Sequence, residues 1–340
     1  MKKIIFHVNQ LCERGTTTAT RDMAFWSQKL IPNLESVIMY RTDHEFGNNQ
    51  KVKEALEKDG ILLQPYSVNA NEIKDIVRSH NPDIFYRLYA GGPSARQPSS
   101  GARKDFNHAI FPGQFDDKTD AYISEWLSNE MFAKFKKRKP FLNHIVNLPD
   151  PTESSRNEVR SMFRVPDSAF VFGRLGGYDS FDIGFVREAV LDIANAREDV
   201  YFFFANTDPR GMENHPRIKF FETIVDMLTK SNFISACDAM IHARQRGETF
   251  GIACAEFMQQ KKPVLTYRFS PEMAHIDPMV YSNAYNFWNL TYTDKDDVIL
   301  KANQLADRNV KSNLVFNPER IINNFKPEKV IEEFCRMTGI

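Results

Sequence analysis

Short apolar runs alternate with stretches of helical spacing along the whole chain. In the first half, Lys3–Val8, Val37–Tyr40, Ile61–Tyr66, Asp83–Leu88 and His108–Phe111 read as strands, the middle ones rich in β-branched and aromatic residues. Between them, Asp22–Leu30, Asn49–Lys58 and Asn71–Ser79 repeat apolar residues at helical spacing. Strands separated by helices predict a parallel sheet covered on both faces. After Asn143–Leu148 comes Pro149-Asp-Pro-Thr-Glu-Ser-Ser155, a proline-rich polar stretch with the chemistry of a linker. The alternation then restarts. Ala169–Phe172, Tyr201–Ala205, Arg217–Phe221, Ala239–Ala243 and Val264–Tyr267 are expected strands, and Asp182–Ala196, Gly251–Gln260, Lys295–Ala306 and Glu328–Met337 expected helices. No solenoid repeat and no low-complexity segment interrupts the pattern.

The expectation is an α/β chain of two Rossmann-like domains, and a length of 340 residues, too long for one ordinary core, agrees with it. Lys plus Arg equals Asp plus Glu at 44 each, so no basic surplus points to nucleic acid as the main partner. Cys12, Cys237, Cys254 and Cys335 are far apart, without a C-x-x-C pair or metal-ligand spacing. Reduced thiols in a cytoplasmic setting fit that usage. The N-terminal apolar run breaks at His7 and Asn9, too soon for a signal peptide, and reads as a first buried strand. No stretch approaches the roughly 18 uninterrupted apolar residues of a membrane span. Asn289-Leu-Thr291 matches a glycosylation sequon, which a chain that is not secreted leaves unused.

Chemistry concentrates in Glu248-Thr-Phe-Gly-Ile-Ala-Cys-Ala-Glu256, two carboxylates eight positions apart between apolar Ala239–Ala243 and Pro263–Tyr267. Read as strand, loop, helix, strand, it puts Glu248 in the loop before a helix starting near Phe250, with Glu256 two turns inside. Backbone N–H groups at such a helix start suit an anion. Arg244 and Arg246 precede Glu248 and are either a pyrophosphate clamp or surface partners of local carboxylates. His242 is equally a ligand contact or a hydrogen-bonded structural histidine. In Phe172-Gly-Arg-Leu-Gly-Gly-Tyr-Asp179, Gly176 and Gly177 follow Arg174 at a strand end, either a phosphate site or a plain tight turn. Neither G-x-G-x-x-G nor a Walker loop occurs. Near the start, Arg14, Gly15 and Thr16 follow the first strand, where Gly15 suits close approach to a ligand and Thr16 or Thr17 suits a helix cap. His108 is placed at a strand end, either facing that same space or held structurally. The segment 122–139 ends in Lys134-Phe-Lys-Lys-Arg-Lys139, which fits a solvated helix end and also a membrane-surface patch.

Taken together, Glu248-Thr-Phe-Gly251 through Glu256, the following Pro263-Val264, and Gly173-Arg174 resemble the retaining nucleotide-sugar glycosyltransferases of glycosyltransferase family 4, the E-x7-E group. The resemblance implies the GT-B fold, two Rossmann-like domains facing across a cleft. Residues 1–148, completed by a C-terminal helix within 320–340, would bind the acceptor, and 149–319 the nucleotide-sugar donor. It implies Glu248 as a catalytic residue that stabilises charge at the sugar, and His108, from its strand-end position, is the second catalytic candidate. Arg174, Gly176, Gly177, Asn206, Arg244, Arg246, Thr249, Phe250, Gly251 and Glu256 would bind the donor, Glu256 through the ribose hydroxyls. Arg14, Gly15 and Thr16 would line the acceptor side. The family's lysine, five or six positions after its arginine, is replaced by Asp179 and Ser180, so Arg244, Arg246 or Arg210 would supply that charge. The implied activity is metal-independent and cofactor-free transfer to a glycan or lipid-linked acceptor in polysaccharide or glycoconjugate synthesis. Peripheral membrane contact would run through 122–139. A sugar-nucleotide epimerase, a phosphorylase or a non-catalytic sugar-nucleotide-binding subunit on the same fold are the alternatives.

Overall fold

The computed structural model describes residues 1–45, 47–67, 70–93, 100–276, 290–307 and 319–340, so Asn289 of the sequon lies outside the described residues. Contacts group Met1–Ile145 with Asn324–Ile340 in one unit and Val146–Asn323 in another.

The first unit is built on β1 (Lys2–Val8), β2 (Leu34–Arg41), β3 (Leu62–Tyr66), β4 (Ile84–Tyr89), β5 (Lys104–Ala109) and β6 (Ala121–Tyr122). They form one parallel sheet in the order β3-β2-β1-β4-β5-β6. Its helices are α1 (Gly15–Leu30), α2 (Gln50–Lys58), α3 (Ala70–His80) and α4 (Glu125–Phe135). Ile4, Ile5 and Phe6 in the central strand are fully buried, because a parallel sheet is covered on both faces and its strands carry apolar residues in succession rather than alternation. The C-terminal helix Pro327–Thr338 belongs to this unit. Its Phe334 packs edge-on against Phe106 and Tyr86, with ring centroids at 5.3 and 5.8 Å. Lys104 Nζ donates to the Met337 and Thr338 carbonyls at the helix end, where a cation meets the negative pole of the dipole.

The second unit repeats the plan with β7 (Phe170–Leu175), β8 (Val200–Ala205), β9 (Ile218–Phe221), β10 (Ala239–His242), β12 (Val264–Tyr267) and β14 (Thr291–Tyr292). The order is β14-β12-β10-β7-β8-β9, again all parallel, beside a small parallel pair of β11 (Gly247–Glu248) and β13 (Glu272–Met273). Its helices are α5 (Ser155–Met162), α6 (Gly184–Ala196), α7 (Met227–Ala236), α8 (Ile252–Gln259), α9 (Lys295–Ala306) and α10 (Glu319–Ile322). Counted within its unit, each sheet has the doubly wound order in which the chain reverses direction between the first and fourth strands. Phe172, Phe202, Phe204 and Phe220 stack across neighbouring strands on one face. Arg160 of α5 is wholly buried, donating to the Ala236 and Ala169 carbonyls and pairing with Asp238 at 2.8 Å.

Several boundaries depart from the sequence expectation. Helix α1 begins at Gly15 rather than Asp22: Thr17 Oγ1 accepts from Cys12 N–H and donates to the Gln10 carbonyl, and Thr20 Oγ1 donates to the Thr16 carbonyl. These threonines are therefore spent on backbone groups, which lets a β-branched run stay helical. Thr16 and Thr17 do not cap the helix, since Arg14 is its N-cap residue. Helix α7 has no clean apolar stripe, because Lys230 and Ser231 are buried in it. The predicted linker is held to that helix, with Ser231 Oγ donating to the Pro149 carbonyl and Thr152 N–H to Asn232. In the basic segment, Ser124 caps α4 and Lys136 ends it in the left-handed region at φ 57°. Lys134, Lys137 and Arg138 lie over the rings of Phe135, Phe115 and Phe132. Among the described residues no helix is long and apolar enough to cross a membrane. All four cysteines are unbonded.

Candidate functional site

Open parallel sheets bind ligands beyond the carboxyl ends of the strands that flank the reversal of strand order. In the second unit those strands are β7 and β10. The loops that leave them are tied together: Asp182 N–H donates to the Ala243 carbonyl at 3.0 Å, and Gln245 N–H to the Asp182 carboxylate at 2.7 Å. Arg174 and Glu248 are thereby carried to the same edge of the sheet. A cavity of about 420 Å³ among Leu148, Arg156, Ser235, Gln259 and Lys262 lies at the amino ends of β10 and β12, the opposite edge.

Arg174 is only 3% exposed. Its Nη1 donates to the Asn206 carbonyl and the Thr207 hydroxyl, at 2.8 and 2.6 Å. Its Nη2 donates to the Gly177 carbonyl and the Ser180 hydroxyl, both at 2.8 Å. Every one of these partners is neutral, and among the described residues Arg174 makes no ion pair. Burial pushes its pKa down to about 10 while the charge of Glu248 works the other way, so the group stays cationic at neutral pH. Arg187 of α6 repeats the arrangement: Nε and Nη1 donate to the Phe181 and Asp208 carbonyls, and buried Nη2 has no hydrogen-bond partner among the described residues. Both guanidiniums lie over the Phe181 ring, at 5.9 and 5.5 Å. Both cations are hydrogen-bonded to neutral groups only, with the carboxylate charges of Glu248 and Asp179 acting on Arg174, and those of Asp208 and Asp182 on Arg187, without a direct ion pair, an arrangement that favours an added anion.

Glu248 sits at the end of β11, its backbone carbonyl accepting from Ala274 N–H at 2.9 Å. Its carboxylate receives Arg244 Nη1 at 2.7 Å and His242 Nε2 at 3.3 Å. Burial alone would push this carboxyl up, but the His242 hydrogen bond and the Arg244 charge outweigh it and bring the pKa to about 2. His242 is braced in turn: Nδ1 meets Thr266 Oγ1 at 2.8 Å, and Thr266 Oγ1 meets His275 Nε2 at 3.0 Å. Gly251 turns the chain into α8 at φ 87°, and a Cβ there would stand 2.8 Å from that of His275. The left-handed turn delays the helix to Ile252, which starts without a side-chain cap. Glu256 is therefore one turn inside α8, not two. It is buried, with Oε1 on Lys230 Nζ at 2.7 Å and Oε2 unpartnered.

No protein-family model matches this chain, and no curated protein matches it in sequence. Solved structures do. An Anabaena protein, Alr3699/HepE, in complex with UDP and glucose is similar over 100% of both chains, with a TM-score of 0.74 at 14% identity. A glycosyltransferase from Rickettsia africae is similar over 99% of this chain and 97% of that one, at 0.68 and 14%. A UDP-N-acetylglucosamine 2-epimerase, so described provisionally, from Listeria monocytogenes covers 99% of this chain and 96% of its own, at 0.63 and 15%. This chain has the GT-B fold.

The structure brings Arg174, Gly176, Gly177, Arg244, Thr249, Phe250, Gly251 and Glu248 to one edge of the second unit, with Glu256 beneath in the helix that follows. A Cβ at Gly176 would approach Arg174 Nη2 to 2.9 Å, so a side chain there would push on the guanidinium. Other expectations are corrected. His108 is a core residue of the first unit, 0% exposed, its Nδ1 against Tyr86 Oη at 2.6 Å and its pKa pushed by burial to about 4. It lies in the interior of the first unit rather than open at a strand end, because β5 ends at Ala109 and carries it inside the sheet, with Nε2 unpartnered among the described residues. Asn206 spends its side chain on Ile224, accepting from the N–H at 2.9 Å and donating to the carbonyl at 3.3 Å. What it offers the site is its carbonyl, on Arg174. Arg246 is paired with Glu272, Arg210 with Asp208 and Arg244 with Glu248 itself, each at 2.7 Å, so each of the three cations offered in place of the family's lysine already has a carboxylate partner. Ser180, at one of the positions of the family's lysine, accepts a hydrogen bond from Arg174 through its hydroxyl. Arg14, Gly15 and Thr16 are exposed at the start of α1 in the first unit.

Arg187, Thr266, His275 and Lys230 were not singled out from the sequence. Asp226, three residues before Thr229 and capping its N–H at 2.8 Å, was the signal for the helix that carries Lys230. Nothing in the local sequence marks Thr266 or His275. Among the described residues no cluster of three or more His, Cys, Asp or Glu side chains is arranged to hold a metal ion.

Proposed function

We propose that this chain is a retaining glycosyltransferase that moves a sugar from a nucleotide diphosphate sugar to a glycan or lipid-linked acceptor. The observation that carries the reading is Arg174, a buried guanidinium with only neutral partners at the carboxyl ends of β7 and β8. Departure of a nucleoside diphosphate leaves negative charge on its phosphate oxygens. Fixed arginines and the uncapped start of α8 answer that charge without reorganisation at the moment of reaction. Glu248, ionised at neutral pH, faces the opposite demand, positive character at the sugar carbon. In this reading the second unit binds the donor and the first the acceptor, and transfer persists in the presence of a chelator. The similarity to a solved structure holding UDP and glucose supports a nucleotide-sugar donor. The similarity to an epimerase supports a second reading, altered sugar with no acceptor, which product analysis separates from transfer. Peripheral contact of 122–139 with an anionic membrane belongs to the same proposal and is read by co-sedimentation with anionic vesicles.

The test is a thermal-shift titration of the wild type and Arg174→Lys with UDP, GDP, ADP and TDP sugars. A donor that binds the folded protein raises its apparent stability by mass action. Lysine keeps a charge but cannot make the four contacts by which Nη1 and Nη2 fix that charge at the strand ends, so donor affinity is expected to fall about tenfold or more. No stabilisation of the wild type by any of these nucleotides refutes the reading, as does equal affinity in the variant.

A further inference from the structure

Four side chains form a hydrogen-bonded chain behind the candidate site. Glu248 Oε1 stands 3.3 Å from His242 Nε2, His242 Nδ1 2.8 Å from Thr266 Oγ1, and Thr266 Oγ1 3.0 Å from His275 Nε2. His242 and Thr266 are direct partners in the β10–β12 register, so the sheet fixes their separation. The two imidazoles lie 4.8 Å apart between centroids. His242, Thr266 and His275 are all buried.

Proton counting gives this chain one direction. An ionised carboxylate only accepts, so the His242 nitrogen facing Glu248 carries hydrogen. In the neutral ring the other nitrogen, Nδ1, then has a lone pair and accepts from the Thr266 hydroxyl. That hydroxyl has one hydrogen to give, so toward His275 it accepts, and His275 Nε2 carries hydrogen. His275 Nδ1 is left as the bare nitrogen, and among the described residues that buried atom has no hydrogen-bond partner. An unpartnered acceptor of this kind costs less than an N–H buried without an acceptor. Burial also pushes the His275 pKa down to about 3, in keeping with one hydrogen on that ring.

We propose that Thr266 and His275 are positioning residues for Glu248: they hold His242 in the tautomer whose Nε2–H donates to that carboxylate. Neither touches a reacting atom, and their role in transfer rests on the reading of Glu248 given above. The groups facing His242 are Glu248 and the Arg244 charge from the β10–β11 loop, Thr266 from β12, His275 from the segment after β13, and Tyr292 Oη of β14 on its backbone carbonyl. Thr266 is the one neutral hydrogen-bond donor among them that meets Nδ1.

The test combines spectroscopy with kinetics on the full chain. Long-range nitrogen-15 correlation spectra of histidine-labelled protein at neutral pH are expected to show His242 protonated at Nε2 and bare at Nδ1. Thr266→Val keeps the branched shape suited to a strand and removes the hydroxyl, so a mixture of tautomers is expected. Thr266→Ser restores the wild-type pattern. With UDP-glucose as the first donor probe, kcat for UDP release is expected to fall about tenfold or more in Thr266→Val with KM unchanged, a misplacement effect, and to recover in the serine variant. A doubly protonated or Nδ1-protonated His242 in the wild type overturns the proposal, and that measurement needs no variant to fold. A single Nε2 tautomer retained in Thr266→Val, or an unchanged kcat, overturns it equally. If the tautomer is as stated but the wild type turns over no nucleotide sugar, the hydrogen-bond assignment stands and the transferase reading fails.

Discussion

Glu248→Gln is the sharpest probe of the site, because it removes one charge and almost no volume. The carboxyl lies at about 2 against an ordinary 4.5, a preference for the ionised form that corresponds to about 3 kcal/mol. The group is 23% exposed, so water takes a share and about 3 kcal/mol is the upper bound. A glutamine offers an N–H₂ where Arg244 or His242 already presents a donor, so one face of the pair meets donor against donor. In urea unfolding the variant is therefore expected to lose up to about 3 kcal/mol at pH 7. The folded pKa is lower than the unfolded one, so this contribution is complete above pH 4.5 and lost as pH falls through about 2. The stability gap between wild type and variant should close across that window and nowhere higher. Catalytically, loss of the carboxylate is expected to lower kcat for sugar transfer by about 100-fold or more, with donor affinity changed only a few-fold. UDP release under saturating donor measures the first, and calorimetric titration of the donor the second. Wild-type turnover in Glu248→Gln would refute the catalytic assignment. A gap that persists unchanged to pH 2 would refute the electrostatic one.

Two further substitutions test the frame of the site. Gly251→Ala forces a Cβ into a φ of 87° and to 2.8 Å from that of His275. It is expected to destabilise by about 1–3 kcal/mol and to disturb the His275 ring signals, and an unchanged urea midpoint would count against the packing described. Lys230→Met strands the Glu256 carboxylate, since both partners are buried and 2.7 Å apart. The expected loss is about 3–5 kcal/mol, largely recovered in the double variant with Glu256→Leu. A single variant as stable as wild type would mean that the pair is not the buried contact observed.

The strands were legible because parallel sheets covered on both faces demand consecutive apolar residues, and runs such as Ile4-Ile5-Phe6 and Phe202-Phe203-Phe204 are fully buried or nearly so. The E-x7-E segment and Arg174 stood out because glycine turns and charged residues beside apolar strands are rare enough to notice. Helix α7 was not legible: a buried lysine and serine break its apolar stripe, and only the distant Glu256 explains why the lysine is there. His108 stands at a strand end, where a cleft residue and a structural histidine read alike in sequence, and the rings of Tyr86, Phe106 and His144 pack around it, the first and last from 22 and 36 residues away.

Sequence alone determined where strands and helices alternate, which residues carry charge at the strand ends, and that two α/β units follow one another. The tertiary structure alone decided which charges are answered and which are not. Arg244, Arg246 and Arg210 pair directly with carboxylates, whereas the direct partners of Arg174 and Arg187 among the described residues are carbonyls, hydroxyls and a phenyl ring. The reason is physical. Apolar periodicity is a local property, read within a few residues, whereas the free energy of a buried charge depends on every dipole and ion packed around it, and those arrive from strands and loops remote in sequence.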